Sequence, residues 1–585
     1  MKPNSLFSFP TFDFNVTQDR YDPLEDFKKG EAVLFEEKQD QFSFETEVGV
    51  SNPISNEYAF QQGVRAKGVQ LLKEHPQQHQ QPMSNDSIMD AFDFNTISPS
   101  TRPIQESIAG SEITGHSTKQ SPQPYSLSAS LELLRNYGSG FKKLKGEKLN
   151  DMSTDKTCVD GHKLSTEEIK RVAGARYLKF SIQMNDQYYM PPMPMHPSGF
   201  ALSGLSEEEI RDVELAHELL STAEKVGYQQ FDRARKQLLG CKWGSSARAN
   251  PVQRVVYHFV EALQERIDKE IGRVSMKGLQ RDDETIQGYL NNNLSCLKIG
   301  QQLPFTQITQ FTGIQAIVDT VALKRKVRLI DVGIRWGVQW IILMQALAER
   351  QNCPIELLKI TAVESTGNQS IDETGKRLAS VAKSLNLPFS FKSVLLSDMK
   401  DIKEELFETT KGETLIIYAS HILRTMIFRP NCLENLMRVL KNLNPSIMIV
   451  TDVEANHNSP LFVDRFIEAL FFHSAHYDCV ETCMKQNDED RMAMETLFGI
   501  GIRNIIAEEG IERTNRSVKM DVWRAFFARY RMVEIEFSES SLYQASLVVK
   551  RFPWWSSCTL DKNGRCLIVG WKGTPIHFLS AWKFL

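Results

Sequence analysis

The chain is predicted to be an α/β protein: a Rossmann-like core of parallel strands, an α-helical cap ahead of it, and a disordered N-terminal region before both. Three observations predict this. From Val327 onward, short unbroken apolar runs alternate with helical segments, the pattern of strands covered on both faces of a parallel sheet. Between Ser206 and Ile267, apolar residues recur at helical spacing. Residues 1–200 show no sustained periodicity at all.

The first 200 residues carry stretches such as HPQQHQQP (75–82), SPSTRPIQ (98–105) and PPMPMHP (191–197). Such composition buries too little apolar surface to offset chain entropy. The region 1–200 is therefore expected to hold short interaction motifs rather than a core. TFDFN (11–15) and AFDFN (91–95) are aromatic-acidic clusters suited to an apolar groove on a partner. Chance repetition is the bland reading in a chain with 33 phenylalanines. ASLELLRNYG (129–138) reads as a short helix.

Ser206 and Glu209, three residues apart, form a capping box that opens a helix through Ile210, Val213, Leu220 and Ala223. A second helix is expected near 228–239. A third follows Asn250-Pro251, with the Asn as cap and the Pro in the first turn. Val252, Val255, Val256, Phe259, Val260, Leu263 and Ile267 give it a stripe broader than a coiled-coil seam. That stripe either packs inside the cap (206–300) or pairs with another chain.

The core is expected over 327–585. VRLIDV, LKITAVE, FSFKSVLL, TLIIYAS and SIMIVTDVE read as strands, with helices near 338–349 and 372–384 among the connections. CLIVGWKGTPIHFLSAWKF reads as two antiparallel strands joined through Lys-Gly-Thr-Pro. Parallel strands closed by a late antiparallel hairpin suggest a methyltransferase-type core. In such a core the first strand ends in an acid and a glycine turn, here Asp331, Gly333 and Gly337. Glycine lets a ligand approach the backbone, and the next helix offers free amides. Glu364 ends the second strand, where an acid would accept ribose hydroxyls. S-adenosylmethionine would suit that arrangement, in a methyltransferase or a small-molecule sensor. Arg335 and Trp336 oppose it, because their side chains would fill the crevice. His421 and Arg424 could sit at a pocket mouth or serve as caps and carboxylate partners. GxSxG, HExxH and GxxxxGK[ST] are missing. No catalytic residue, cofactor or metal is therefore expected.

The net charge of −4 shows no overall basic bias of the kind DNA-gripping domains carry. No apolar run reaches the roughly 18 residues of a membrane span, and the N-terminus shows no secretory signal. Nine cysteines with no CxxC pair suggest reduced thiols. Cys479 and Cys483 could give two metal ligands but lack a partner pair. KRKVR (324–328) and FKKLKGEK (141–148) are candidates for nuclear import or solvated charge. The basic run from Arg513 to Arg531 around Trp523 suits a salt-bridge network better than a nucleic-acid groove. Trp554, Trp555, Trp571 and Trp582 are expected to pack the C-terminal strands. His457, near Asp452 and Glu454, suits either a general base or a loop-fixing hydrogen bond.

These segments, in this order, resemble the plant GRAS regulators over about 206–585. LIDVGIRWGVQWIILMQALAER (329–350) is similar to their VHIID motif, with Asp331, Gly337, Gln339 and Trp340 in matching places. Glu454, Asn456 and His457 open a stretch that resembles a family signature, and the later segment resembles the PFYRE-type sequence. Ser580-Ala581-Trp582 matches the closing SAW motif. Two departures stand out: Arg328 replaces the motif's histidine, and Gly333 stands where many members carry a polar residue. Neither DELLA nor a TVHYNP-like stretch occurs in the first 150 residues. The resemblance implies a nuclear transcriptional regulator or co-regulator. It implies partners among other GRAS proteins and DNA-binding transcription factors, and a homo- or heterodimer through the helices near 206–270. Direct DNA binding as a dimer stays open, and no membrane association is implied.

Overall fold

The computed structural model describes residues 164–185, 202, 205–273, 302–334, 336–365, 370–514 and 516–585. The motifs at 11–15, 91–95, 129–138 and 141–148, and Arg335, lie outside the described residues.

The cap comprises α1 (Thr166–Asn185), α2 (Glu207–Gly227), α3 (Phe231–Gly244) and α4 (Pro251–Glu270). The core follows: α5 (Pro304–Thr320), β1 (Lys326–Val332), α6 (Gln339–Ala348), β2 (Leu357–Ser365), α7 (Ser370–Ser384), β3 (Phe389–Leu396) and β4 (Thr414–Ser420). Next come α8 (Pro430–Leu443), β5 (Ile447–Val453), α9 (Phe462–Cys483), α10 (Asp488–Ile506), α11 (Met520–Ala528) and β6 (Met532–Ile535). The chain closes with α12 (Glu539–Arg551), β7 (Cys558–Asn563), β8 (Cys566–Trp571) and β9 (Thr574–Phe584).

Local chemistry sets the helix starts. The Glu209 backbone donates to Ser206 Oγ, and the Ser206 backbone donates to the Glu209 carboxylate at 2.9 Å, a reciprocal cap. Asn250 Oδ1 accepts the Gln253 N–H at 2.9 Å, with Pro251 in the first turn. The stretch 1–200, expected to lack packed structure, contains α1. Its Ile169, Ala173 and Tyr177 are buried in the cap core. Their four-residue spacing is a helical stripe that the polar composition around it masked.

The α4 stripe is consumed within the chain. Val255, Phe259 and Leu263 are fully buried in a cluster with Phe466 and Leu470 of α9 and Ile505 of α10. Fully burying one such side chain stabilises by roughly 1.5–3 kcal/mol. The expected dimer through helices 206–270 therefore cannot use this stripe, because another part of the same chain already covers it.

Nine strands among the described residues form one sheet in the order β3-β2-β1-β4-β5-β9-β8-β7, with β6 also on β9. The first five are parallel, and β9 runs antiparallel to β5, β6 and β8. The sheet is therefore mixed. Alternation along β1 sends Leu329 into the layer with α5, α6 and α7, and Ile330 and Val332 into the layer with α8 and α11. Helices thus cover both faces, and the order reverses between β1 and β4. That reversal opens a crevice beyond the carboxyl ends of the strands. The β8–β9 turn is two residues, Lys572 and Gly573, both with positive φ. This is tighter than the expected Lys-Gly-Thr-Pro connection, and its backbone twist matches that of the flanking strands.

Candidate functional site

A cleft of about 340 Å³ occupies the crevice. β1 delivers Gly333 to it, β4 leads into Ser420 and His421, β5 ends there at Val453, and β9 contributes His577.

Asp331 comes off β1 only 1% exposed. Its Oδ2 accepts from the Trp340 indole N–H at 2.7 Å and, more distantly, from Gln339 Nε2 at 3.4 Å. Trp340 in turn meets Tyr418 edge-on at 4.9 Å. The acid is thus directed into the helix that follows it. Gly333 has φ +87°, and its N–H donates to the Val363 carbonyl at 2.9 Å. A Cβ there would find only ordinary van der Waals contact with Ile422, so the backbone conformation is what demands glycine. At Gly337, φ +60°, a Cβ would also fall 2.9 Å from Thr374 Cγ2.

Of the four candidate cofactor residues, Gly333 lines the cleft, while Asp331, Gly337 and Glu364 do not. Gln339 lines it too. Trp336 is half-buried and forms a wall rather than a plug. Its carbonyl accepts from Arg377 Nη2 at 2.6 Å, which pins the loop to α7.

The opposite wall is a run of rings. Phe305 of α5 lies 5.7 Å from His476 and 6.0 Å from His577, centroid to centroid, and His577 lies 4.7 Å from His421. Sequence reasoning did not single out Phe305, His476 or His577. They arrive from α5, α9 and β9, and no local motif links them. His421 and Arg424 do sit at the cleft. Arg424 Nε lies 3.5 Å from Asp452 Oδ1, and Nη1 donates to Ser517 Oγ at 3.3 Å. Burial pushes the Asp452 carboxyl up, against the pull of Arg424.

The signature residues serve the scaffold. Glu454 accepts the Met520 N–H at 2.9 Å at the first turn of α11, and burial raises its carboxyl to about 7. Asn456 is half-buried in the turn after β5. The His457 N–H donates to the Ser517 carbonyl and its own carbonyl accepts from Arg513, both at 2.9 Å. Its ring stands edge-on to Phe472 at 4.9 Å, and burial lowers its pKa to about 3. These contacts fix the loop. Trp582 Nε1 donates to Ser580 Oγ at 2.9 Å, and its ring packs on Phe527 at 4.8 Å.

Cys479 and Cys483 have sulfurs 3.6 Å apart, and burial raises the Cys479 thiol. No metal-holding group of side chains occurs among the described residues. Within KRKVR, Arg325 pairs with Glu356 at 3.2 Å and Arg328 with Glu413 at 2.7 Å. In the later basic run, Lys519 pairs with Glu468 at 2.8 Å, Arg524 with Glu534 at 2.9 Å and Arg529 with Glu434 at 3.5 Å. Acids already hold these cations. No described helix is long and apolar enough to cross a membrane.

Residues 215–583 match the family model described as the GRAS domain family. DELLA protein RGL1 of Arabidopsis thaliana is 29% identical over 372 residues, covering 63% of this chain and 70% of that protein. DELLA protein 1 of Medicago truncatula is 25% identical over 465 residues, covering 77% of this chain and 76% of that protein. The crystal structure of SCL7 from Oryza sativa shares the fold, with a TM-score of 0.56 at 23% identity, over 63% of this chain and 99% of that one.

Proposed function

The chain belongs to the GRAS domain family, and from that premise we propose that it is a nuclear transcriptional regulator acting through contacts with DNA-binding factors and other family members. The match over residues 215–583 carries this reading. It is supported by the inward commitment of the signature residues: Glu454, His457 and Trp582 hold backbone and rings in place. Their role is to shape the outer surfaces of core and cap, where partners would bind. Since the α4 stripe is covered by α9 and α10, a dimer would use other cap surfaces. The strand order 3-2-1-4-5 followed by an antiparallel strand supports a methyltransferase-type core.

Methyl transfer is the weaker reading, because the cleft does not match adenosylmethionine. Glu364 is not on the cleft, and Asp331 is bound by Trp340. Apart from histidines, the charged side chain lining the cleft among the described residues is Arg424, which would repel a sulfonium. Direct DNA binding is disfavoured by the acid partners of Lys519, Arg524 and Arg529.

Proximity labelling in plant nuclei tests the proposal. DNA-binding factors and GRAS proteins are expected among the labelled neighbours, and their absence would overturn it. In mobility shifts, the chain alone should leave DNA unshifted, and an added partner should produce a shift. A specific, steeply salt-dependent shift by the chain alone would favour direct binding instead.

A further inference from the structure

We propose that the cleft between β1, β4 and β9 binds a small organic acid with an apolar or aromatic body and a hydroxyl or N–H donor. This goes beyond the regulatory role and does not depend on it.

The first support is an open acceptor. His476 is 6% exposed and lines the cleft. Its Nδ1 lies 3.0 Å from the Phe472 carbonyl oxygen. A carbonyl can only accept, so Nδ1 carries the proton and Nε2 keeps a bare lone pair. No described residue donates to Nε2. Burial lowers the His476 pKa to about 4, so near pH 7 the ring is neutral and Nε2 accepts rather than donates. His577 also lines the cleft, and its buried Nδ1 has no hydrogen-bond partner among the described residues.

The second support is charge. Arg424 is on the cleft, and no carboxylate lines it among the described residues. Asp452 stands beside Arg424 Nε at 3.5 Å and Ser517 takes Nη1, which leaves Nη2 without a partner among the described residues. An anionic group would find a donor there, whereas a cation would meet like charge. The third support is shape. Phe305 and the imidazoles form one wall, with Trp336 and the bare backbone of Gly333 on the cleft as well. The volume of about 340 Å³ is that of a small-molecule site at the lower end of the usual range.

The probe is 3-(4-hydroxyphenyl)propionate, which carries a phenol donor, a ring and a carboxylate. It is titrated into the full chain by saturation-transfer NMR. Binding at roughly millimolar concentration is expected for so few atoms. 3-Phenylpropionate, which lacks the donor, and tyramine, which replaces the carboxylate by an ammonium, should each bind about tenfold more weakly. Arg424→Gln should erase the preference for acid over amine, and His476→Phe the preference for the hydroxylated probe. Should His476→Phe fail to fold, the ratio among the three probes on the unaltered chain decides. No binding of the first probe, equal binding of all three, or an unchanged ratio in Arg424→Gln would overturn the proposal.

Discussion

The two ends of the parallel sheet handle buried charge in opposite ways. At the amino end, Arg328 of β1 donates to Glu413 at 2.7 Å, Lys359 of β2 reaches the same carboxylate at 2.6 Å, and Arg328 also meets Thr361 and the Glu408 carbonyl. Burial alone would raise the Glu413 carboxyl, but the hydrogen bonds from Arg328 and Lys359 outweigh it and hold it at about 2. At the carboxyl end, Glu454 has one backbone N–H and is raised to about 7 by burial, while His476 lines the cleft with its Nε2 open and His577 Nδ1 is buried with no hydrogen-bond partner among the described residues. A closed network of this kind fixes the fold and has nothing left to offer a ligand. An incompletely satisfied one is where a ligand or partner can add interactions.

The sharpest way to break this contrast is Glu413→Ala. It strands Arg328 in the interior, and a loss of about 3–5 kcal/mol is expected in urea unfolding. A loss below about 1 kcal/mol would mean that the amino-end network is dispensable. Next, Trp340→Phe keeps an aromatic ring but removes the donor to buried Asp331 and part of the indole's packing, with an expected cost of about 1–3 kcal/mol or more. A neutral outcome would mean that Asp331 is directed elsewhere.

The two glutamates should also titrate with opposite slopes. Glu413 has a folded pKa below its ordinary 4.5. Its contribution is present above that pH and is lost as pH falls toward 2. Glu454 has a folded pKa above 4.5. Its contribution is present below 4.5 and is lost as pH rises through about 7. Glu454→Gln should therefore flatten a fall in stability of about 2–3 kcal/mol between pH 4.5 and 7, read from melting temperature against pH. A wild-type profile that does not fall across that window would contradict the burial assigned to Glu454. The smallest expected effect lies in the cap, away from both ends: Ser206→Ala should cost about 1 kcal/mol through loss of the reciprocal cap.

Local features were readable from sequence, and long-range ones were not. FSFKSVLL and TLIIYAS span β3 and β4 as observed: the apolar run in TLIIYAS marks a strand buried at all but its last residue, whereas β3 is a half-buried edge strand whose apolar residues are interrupted by Ser and Lys. The Ser206 and Asn250 caps were likewise legible from three-residue spacing. β6 and β7 escaped notice: one is four residues long, and the other has a largely half-exposed, polar sequence. α1 was hidden by the polar composition around Ile169, Ala173 and Tyr177. At the site, the glycine turn gave its own position away. That His476 and His577 would converge depends on packing between segments far apart in sequence, and that Asp331 would bind Trp340, on the helix directly after it, depends on how the glycine turn aims that helix. Arg328 showed itself only as a departure from a motif, and its reason is Glu413, 85 residues away.

Isothermal titration calorimetry of the full chain with adenosylmethionine, and with its demethylated product, tests the central claim most directly. With Asp331 held by Trp340, Glu364 off the cleft and Arg424 on it, no saturable heat is expected from either compound. Micromolar binding abolished by Gly333→Trp would contradict the account and return the chain to the methyltransferases or nucleotide sensors.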